Sequence, residues 1–198
     1  MTTILLSLPL MAHAVDVEEQ KSMLEKKSTC CESFRQFHYE KLPETKLKFR
    51  IDEKSPVFQF EADKSYFAAF EVPDNGARAY LLQSYFGSGW KSLKYFAPIV
   101  TFLDKDFNQT RKEFIEGWFE DYTMMEGAHM AYSIRLNEGE KYIIISTGSF
   151  DPAVASVNRG SQSHTFMVGS AVVTAASPAK EVPLDRRLTG KFSIEPTP

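Results

Sequence analysis

Apolar and polar residues alternate in short runs over most of this chain, and Pro, Gly, Asn and Asp cut the runs apart. KLKFRI at 46–51 sets Leu47, Phe49 and Ile51 on one side. VFQF (57–60), YFAAFEV (66–72), AYLLQSYF (79–86) and PIVTFLD (98–104) follow. Further along come KEFIEGWF (112–119), AYSIRL (131–136), KYIIIST (141–147), TFMVGSAVVTAA (165–176) and LTGKFSIEP (188–196). A period of two places successive side chains on opposite faces of an extended backbone, so each run predicts a strand. Pro73-Asp74-Asn75-Gly76 has strong turn chemistry. Asn137-Glu138-Gly139 predicts a hairpin joining 131–136 to 141–147. Gly169 predicts a bulge or close approach inside one strand over 165–176.

About nine to ten strands at this spacing, with no amphipathic helical run between them, predict an all-β fold, a β-sandwich or jelly roll. A βαβ arrangement needs helices of about ten or more residues between strands. Only residues 15–28, VDVEEQKSMLEKKS, offer one, and these read as a polar tether or a marginal helix. Phe34, Phe37 and Tyr39 then predict a segment that docks on the domain. Residues 151–164 are polar and short of core residues, and read as a long loop. The expected organisation is a signal peptide over 1–14, a tether with adjacent cysteines over 15–33, and one sandwich domain over 34–198.

Composition narrows the class. The chain has 198 residues, 43% hydrophobic and 25% charged, which suits one domain with a core. Sixteen Phe and eight Tyr favour strands. A net charge of −3, with no basic cluster along the sequence, gives no footprint for nucleic acid. No apolar run approaches the roughly 20 residues of a membrane-spanning helix. Ile4 to Met11 is apolar and Ala12-His13-Ala14 is a small-x-small cleavage site, so a cleavable signal ending before Val15 is expected, without a basic residue ahead of its apolar run.

Candidate chemistry is sparse. Cys30 and Cys31 are neighbours, with Cα atoms about 3.8 Å apart across a trans peptide, below the usual disulfide span of about 4.4–6.8 Å. A vicinal ring, two thiols and a bond to another chain are the open states, and an oxidising compartment disfavours thiols. His38, His129 and His164 are scattered, with no H-E-x-x-H and no G-x-S-x-G. No catalytic, metal or cofactor site is expected. Asp104-Lys105-Asp106-Phe107-Asn108 opens like a calcium loop, but Gln109 and Ile115 stand where Gly and Glu are needed, so a β-turn is the reading. Glu120 and Asp121 are adjacent and point apart on a strand.

Aromatic rings carry the binding hypothesis. Tyr85, Trp90 and Tyr95 flank the Gly87–Gly89 loop, and Trp118 and Tyr122 cluster at the end of another strand. Such rings offer a flat face to the C–H side of a sugar and a polar handle to its hydroxyls. Trp90 is the first choice, because a flexible loop has no core use for it.

Taken as a run, the chain resembles the MalM family of periplasmic proteins of the maltose regulon. The resemblance lies in Cys30-Cys31-Glu32-Ser33-Phe34, Phe37-His38-Tyr39, Ser55-Pro56-Val57-Phe58 and Ser65-Tyr66-Phe67-Ala68-Ala69-Phe70. It continues in Phe96-Ala97-Pro98-Ile99-Val100 with Leu103-Asp104, and in Lys141-Tyr142-Ile143-Ile144-Ile145. It covers roughly residues 30–175 and implies a periplasmic protein linked to carbohydrate (maltose and maltodextrin) uptake, with no catalytic residue implied. The implied partners are a maltodextrin-type carbohydrate or a periplasmic or outer-membrane transport protein. The alternative is an envelope interaction or structural module, engaging a partner by a strand edge or the 151–164 segment.

Overall fold

Two twisted sheets face each other in the computed structural model, which describes residues 17–61, 63–87, 93–121, 127–147, 156–159, 162–168, 171–177 and 180–197. The expected signal over 1–14 lies outside these residues. The first sheet has six strands: β1 (Glu40–Lys41), β3 (Val57–Gln59), β4 (Lys64–Glu71), β7 (Ile99–Asp104), β8 (Gln109–Phe114) and β11 (Glu140–Ser146). Its order is β1-β4-β11-β7-β8, with β3 on the same edge of β4 as the parallel strand β1. The second has five: β2 (Leu47–Ile51), β5 (Ala79–Tyr85), β9 (Gly117–Glu120), β10 (His129–Arg135) and β16 (Gly190–Pro196). Their order is β2-β16-β5-β10-β9, antiparallel throughout. Two smaller groups complete it. β12 (Ser156–Arg159), β15 (Lys180–Arg186) and β6 (Leu93–Tyr95) form one, and β13 (Gln162–Val168) with β14 (Ala171–Ser177) forms the other.

The all-β expectation holds, and alternation decides what fills the middle. Phe49, Tyr80, Leu82, Tyr132, Phe192 and Ile194 from one sheet meet Tyr66, Phe70, Val100, Phe102, Ile143 and Ile145 from the other. Phe49 spans the gap, its ring 5.0 Å from Phe70 and 5.2 Å from Phe192. β11 is buried on both faces: Ile143, Ile144 and Ile145 are all fully covered. Ile144 belongs to a second cluster with Phe37, Phe60, Phe67, Ala69 and Leu103, on the outer side of the six-stranded sheet. The segment after the cysteines supplies its lid, as the aromatic spacing predicts. Phe37 stacks on Phe67 at 4.2 Å, and the Tyr39 ring lies 4.5 Å from Tyr142.

Several expectations are corrected. The segments around Asn137-Glu138-Gly139 are not a hairpin. β10 pairs with β5 and β9, β11 with β4 and β7, and the turn arches from one sheet to the other. Each of the two strands has both edges taken by other strands, which leaves neither an open edge for the other. The single strand expected over 165–176 is two, β13 and β14, paired antiparallel. The run 112–119 breaks at Ile115-Glu116 into β8 and β9, one at the edge of each sheet. Within the loop expected over 151–164, the described residues include strand β12 and the start of β13. β1, β6 and β12 span only two to four residues, too few to show alternation.

The polar stretch 15–28 contains a helix, α1 (Val17–Glu25), that docks instead of trailing as a spacer. Glu18 and Glu19 suit its N-terminal dipole, and Gln20 and Leu24, one turn apart, share the buried face. Leu24 enters the core, and Gln20 Oε1 accepts the Leu188 N–H at 2.9 Å. Among the described residues, no helix is long and apolar enough to cross a membrane.

Candidate functional site

The outward face of the five-stranded sheet gathers most of the polar side chains that packing leaves unexplained. Cross-strand register lines them up in two rows. Glu120, His129, Tyr85, Lys191 and Arg50 stand directly opposite one another across β9, β10, β5, β16 and β2. Two residues along, Trp118, Ala131, Gln83, Ser193 and Lys48 form the parallel row. Directly opposed residues share a face, so one surface carries an aromatic end, a polar middle and a cationic end.

The middle is buried and fully connected. Gln83 Oε1 accepts from the Ser193 hydroxyl at 2.8 Å and the Tyr85 hydroxyl at 3.1 Å. Its Nε2 lies 2.8 Å from His129 Nε2. His129 Nδ1 lies 2.8 Å from the Gly127 carbonyl, which can only accept, so Nδ1 carries a proton. Glu120 Oε2 stands 3.1 Å from the same Nε2, and Glu120 Oε1 takes the Trp118 indole N–H at 2.7 Å. Ser193 bonds to Gln83, which stands between it and His129. The chain of contacts therefore orients Tyr85 and Trp118; it does not hold a nucleophile against a base.

Tyr85 marks the boundary between this network and open surface. It lines a hollow of about 600 Å³ with Arg50, Asp52, Glu53, Lys94 and Lys191. It also lines a second of about 390 Å³ with Lys48, Phe49, Arg50, Lys191 and Phe192. Lys48, Arg50 and Lys191 are exposed. None of the three has an ion-pair partner among the described residues. Asp52 is engaged in its own turn, accepting the Lys54 N–H at 2.8 Å.

The sequence-derived aromatics separate. Tyr85 sits at the hollows, and Trp118 is 46% exposed at the far end of the face. Tyr95 is in the core instead, 3% exposed, and burial raises its phenol above the ordinary range. A ring enclosed this way presents no face to a sugar. Trp90 and Tyr122 lie outside the described residues. Cys30 and Cys31 are joined to each other in a vicinal disulfide, the first of the three open states. Cys31 packs beside Phe34 on the second aromatic cluster. His38 is exposed, and His164 falls within β13 and not on a loop. Asp104 forms the expected turn: its carboxylate accepts the N–H groups of Asp106 and Asn108 at 2.8 and 2.9 Å. Among the described residues, no group of three or more His, Cys, Asp or Glu forms a metal-ligand set.

Comparison with protein-family models, curated proteins and solved structures gives no match. The site is thus read from its own residues. Sequence reasoning missed Gln83, Ser193, Arg50 and Lys191. Each is an ordinary polar residue of an alternating strand, and only strand order makes them neighbours.

Proposed function

We propose that the protein is a non-enzymatic carbohydrate-binding β-sandwich of the bacterial envelope, acting in the periplasm in saccharide transport. The observation that carries the binding reading is Tyr85. Its ring borders both hollows of the polar face, while its hydroxyl is fixed by Gln83 and Ser193. A phenol held this way gives a sugar an oriented hydroxyl and an apolar flank without further ordering cost. The vicinal disulfide supports an oxidising compartment, and the resemblance to the MalM family supports the link to transport. Isothermal calorimetry against neutral and acidic oligosaccharides tests the reading. Saturable binding is expected, lost in Tyr85→Ala and retained in Trp118→Ala. A silent panel would overturn it.

A second reading, docking to another envelope protein, has its own observation. β8 and β9 are the outermost strands of their sheets, and Phe114 and Trp118 on them are 37% and 46% exposed. Exposed rings on strand edges suit partner contact. Trp118→Ala is the variant that separates the two: it abolishes partner capture on this reading and leaves sugar binding intact on the first.

A further inference from the structure

The cationic end of the polar face bears on the charge of a ligand that would bind there. Arg50 and Lys191 are directly opposed across β2 and β16, both exposed and both on the outward face. Like charges opposed across a sheet destabilise it, and among the described residues neither cation forms an ion pair that would offset the repulsion directly. Lys48 extends the group two residues along β2, opposite Ser193. Strand spacing of about 4.8 Å and a two-residue step of about 6.8 Å put these three cations on one small lattice. Lys94 faces the same cavity as Arg50 and Lys191 from beyond the Gly87 bridge. The acidic residues at that cavity, Asp52 and Glu53, belong to the turn after β2. The whole chain carries a net charge of −3, so this concentration of positive charge runs against the general balance.

We propose that the hollows beside Tyr85 bind an acidic oligosaccharide, one bearing carboxylate or sulfate groups, with Arg50, Lys191 and Lys48 pairing its anions. The inference rests on the carbohydrate reading above and specifies its ligand. Arg50 supplies a planar fork that matches a carboxylate or sulfate. Lys191 and Lys48 supply point charges on either side of it. The Tyr85 ring and hydroxyl then meet the sugar body between the anions. Binding relieves the Arg50–Lys191 repulsion, so ligand and fold stabilise one another.

The test is calorimetry of the purified protein with four probes: oligogalacturonate, a chondroitin sulfate oligosaccharide, maltoheptaose and polyglutamate. At least one acidic saccharide is expected to bind more tightly than maltoheptaose and polyglutamate. Its affinity should fall by at least about tenfold in Arg50→Gln/Lys191→Gln, the scale of one lost charge-assisted contact. Raising salt should weaken it further. Lys105→Gln, a cation in a distant turn, should leave it unchanged. The double variant removes a like-charge pair, so its melting temperature should hold or rise, which separates lost binding from lost folding. Tighter binding of maltoheptaose, unaffected by the double variant, overturns this inference and leaves the carbohydrate reading standing. Equal binding of polyglutamate also overturns it, reducing the site to a general polyanion surface. Silence from all three saccharides overturns both.

Discussion

Glu140 shows how one buried charge is made tolerable. Its side chain is 2% exposed, yet it receives a two-pronged contact from Arg111 at 2.7 and 3.0 Å. The Thr110 hydroxyl and the Asn137 N–H add bonds at 2.9 and 2.7 Å. Arg111 in turn lies 3.5 Å over the Phe102 ring. Burial alone would raise the Glu140 carboxyl. The bonds from Arg111, Asn137 and Thr110 outweigh it and hold the group below its ordinary value. Glu140→Ala leaves Arg111 its half-exposed ion pair to Glu113 but deprives the Asn137 N–H and the Thr110 hydroxyl of an acceptor, and should cost about 1–3 kcal/mol in a denaturant titration. Gly117 makes a contrasting residue-scale point. A Cβ there would run into the Tyr132 ring and the Ala131 carbonyl. Glycine at the start of β9 lets the tyrosine lie flat over its neighbour.

The docking of the 30–39 segment belongs to the scale of elements. β4, β11 and β7 bury residues on both faces, which an ordinary two-layer sandwich does not require of both its sheets. Phe34, Phe37, Tyr39 and Phe58 cover the outer face, and the disulfide with the turn over Phe34–Gln36 sets where the lid begins. Phe37→Ala should destabilise the protein by about 3–5 kcal/mol, with the loss visible as a lower denaturation midpoint. If the segment were a loose tether, the midpoint would not move. The arch between β10 and β11 is also an element-scale device. Gly139, at φ 84°, takes the left-handed corner that lets the chain leave one sheet for the other.

At the scale of the whole molecule, pH integrates these local terms. The carboxyls of Glu140 and Asp104 are depressed, so the unfolded chain binds protons first as pH falls. Their contribution is complete above the ordinary values of 4.5 and 3.8 and is lost as pH drops through the lower folded values. The melting temperature should therefore decline below about pH 4.5, and less steeply in Glu140→Gln. At the other end, burial raises the phenols of Tyr39, Tyr95 and Tyr132 above 10.0. The unfolded chain ionises first there, so stability should also fall as pH rises past that value. A flat acid limb with unchanged slope in Glu140→Gln would remove Glu140 from this account.

Local alternation was enough to determine the class of fold. Leu47, Phe49 and Ile51, or Ile143 and Ile145, must turn one way along an extended chain, and that fact needs no partner strand to be true. The turn at Asp104 was equally legible, since its carboxylate bonds to backbone a few residues on. Tertiary structure alone decided which strands are neighbours. It sent β10 and β11 to different sheets and moved Tyr95 into the core. It also brought Arg50, on the second strand, beside Lys191, on the last. The reason is physical: side-chain period is a local property of the backbone, whereas strand order is settled by which pairings satisfy every buried N–H and C=O at once. The polar face exists only after that global choice, so its residues carry no mark along the sequence.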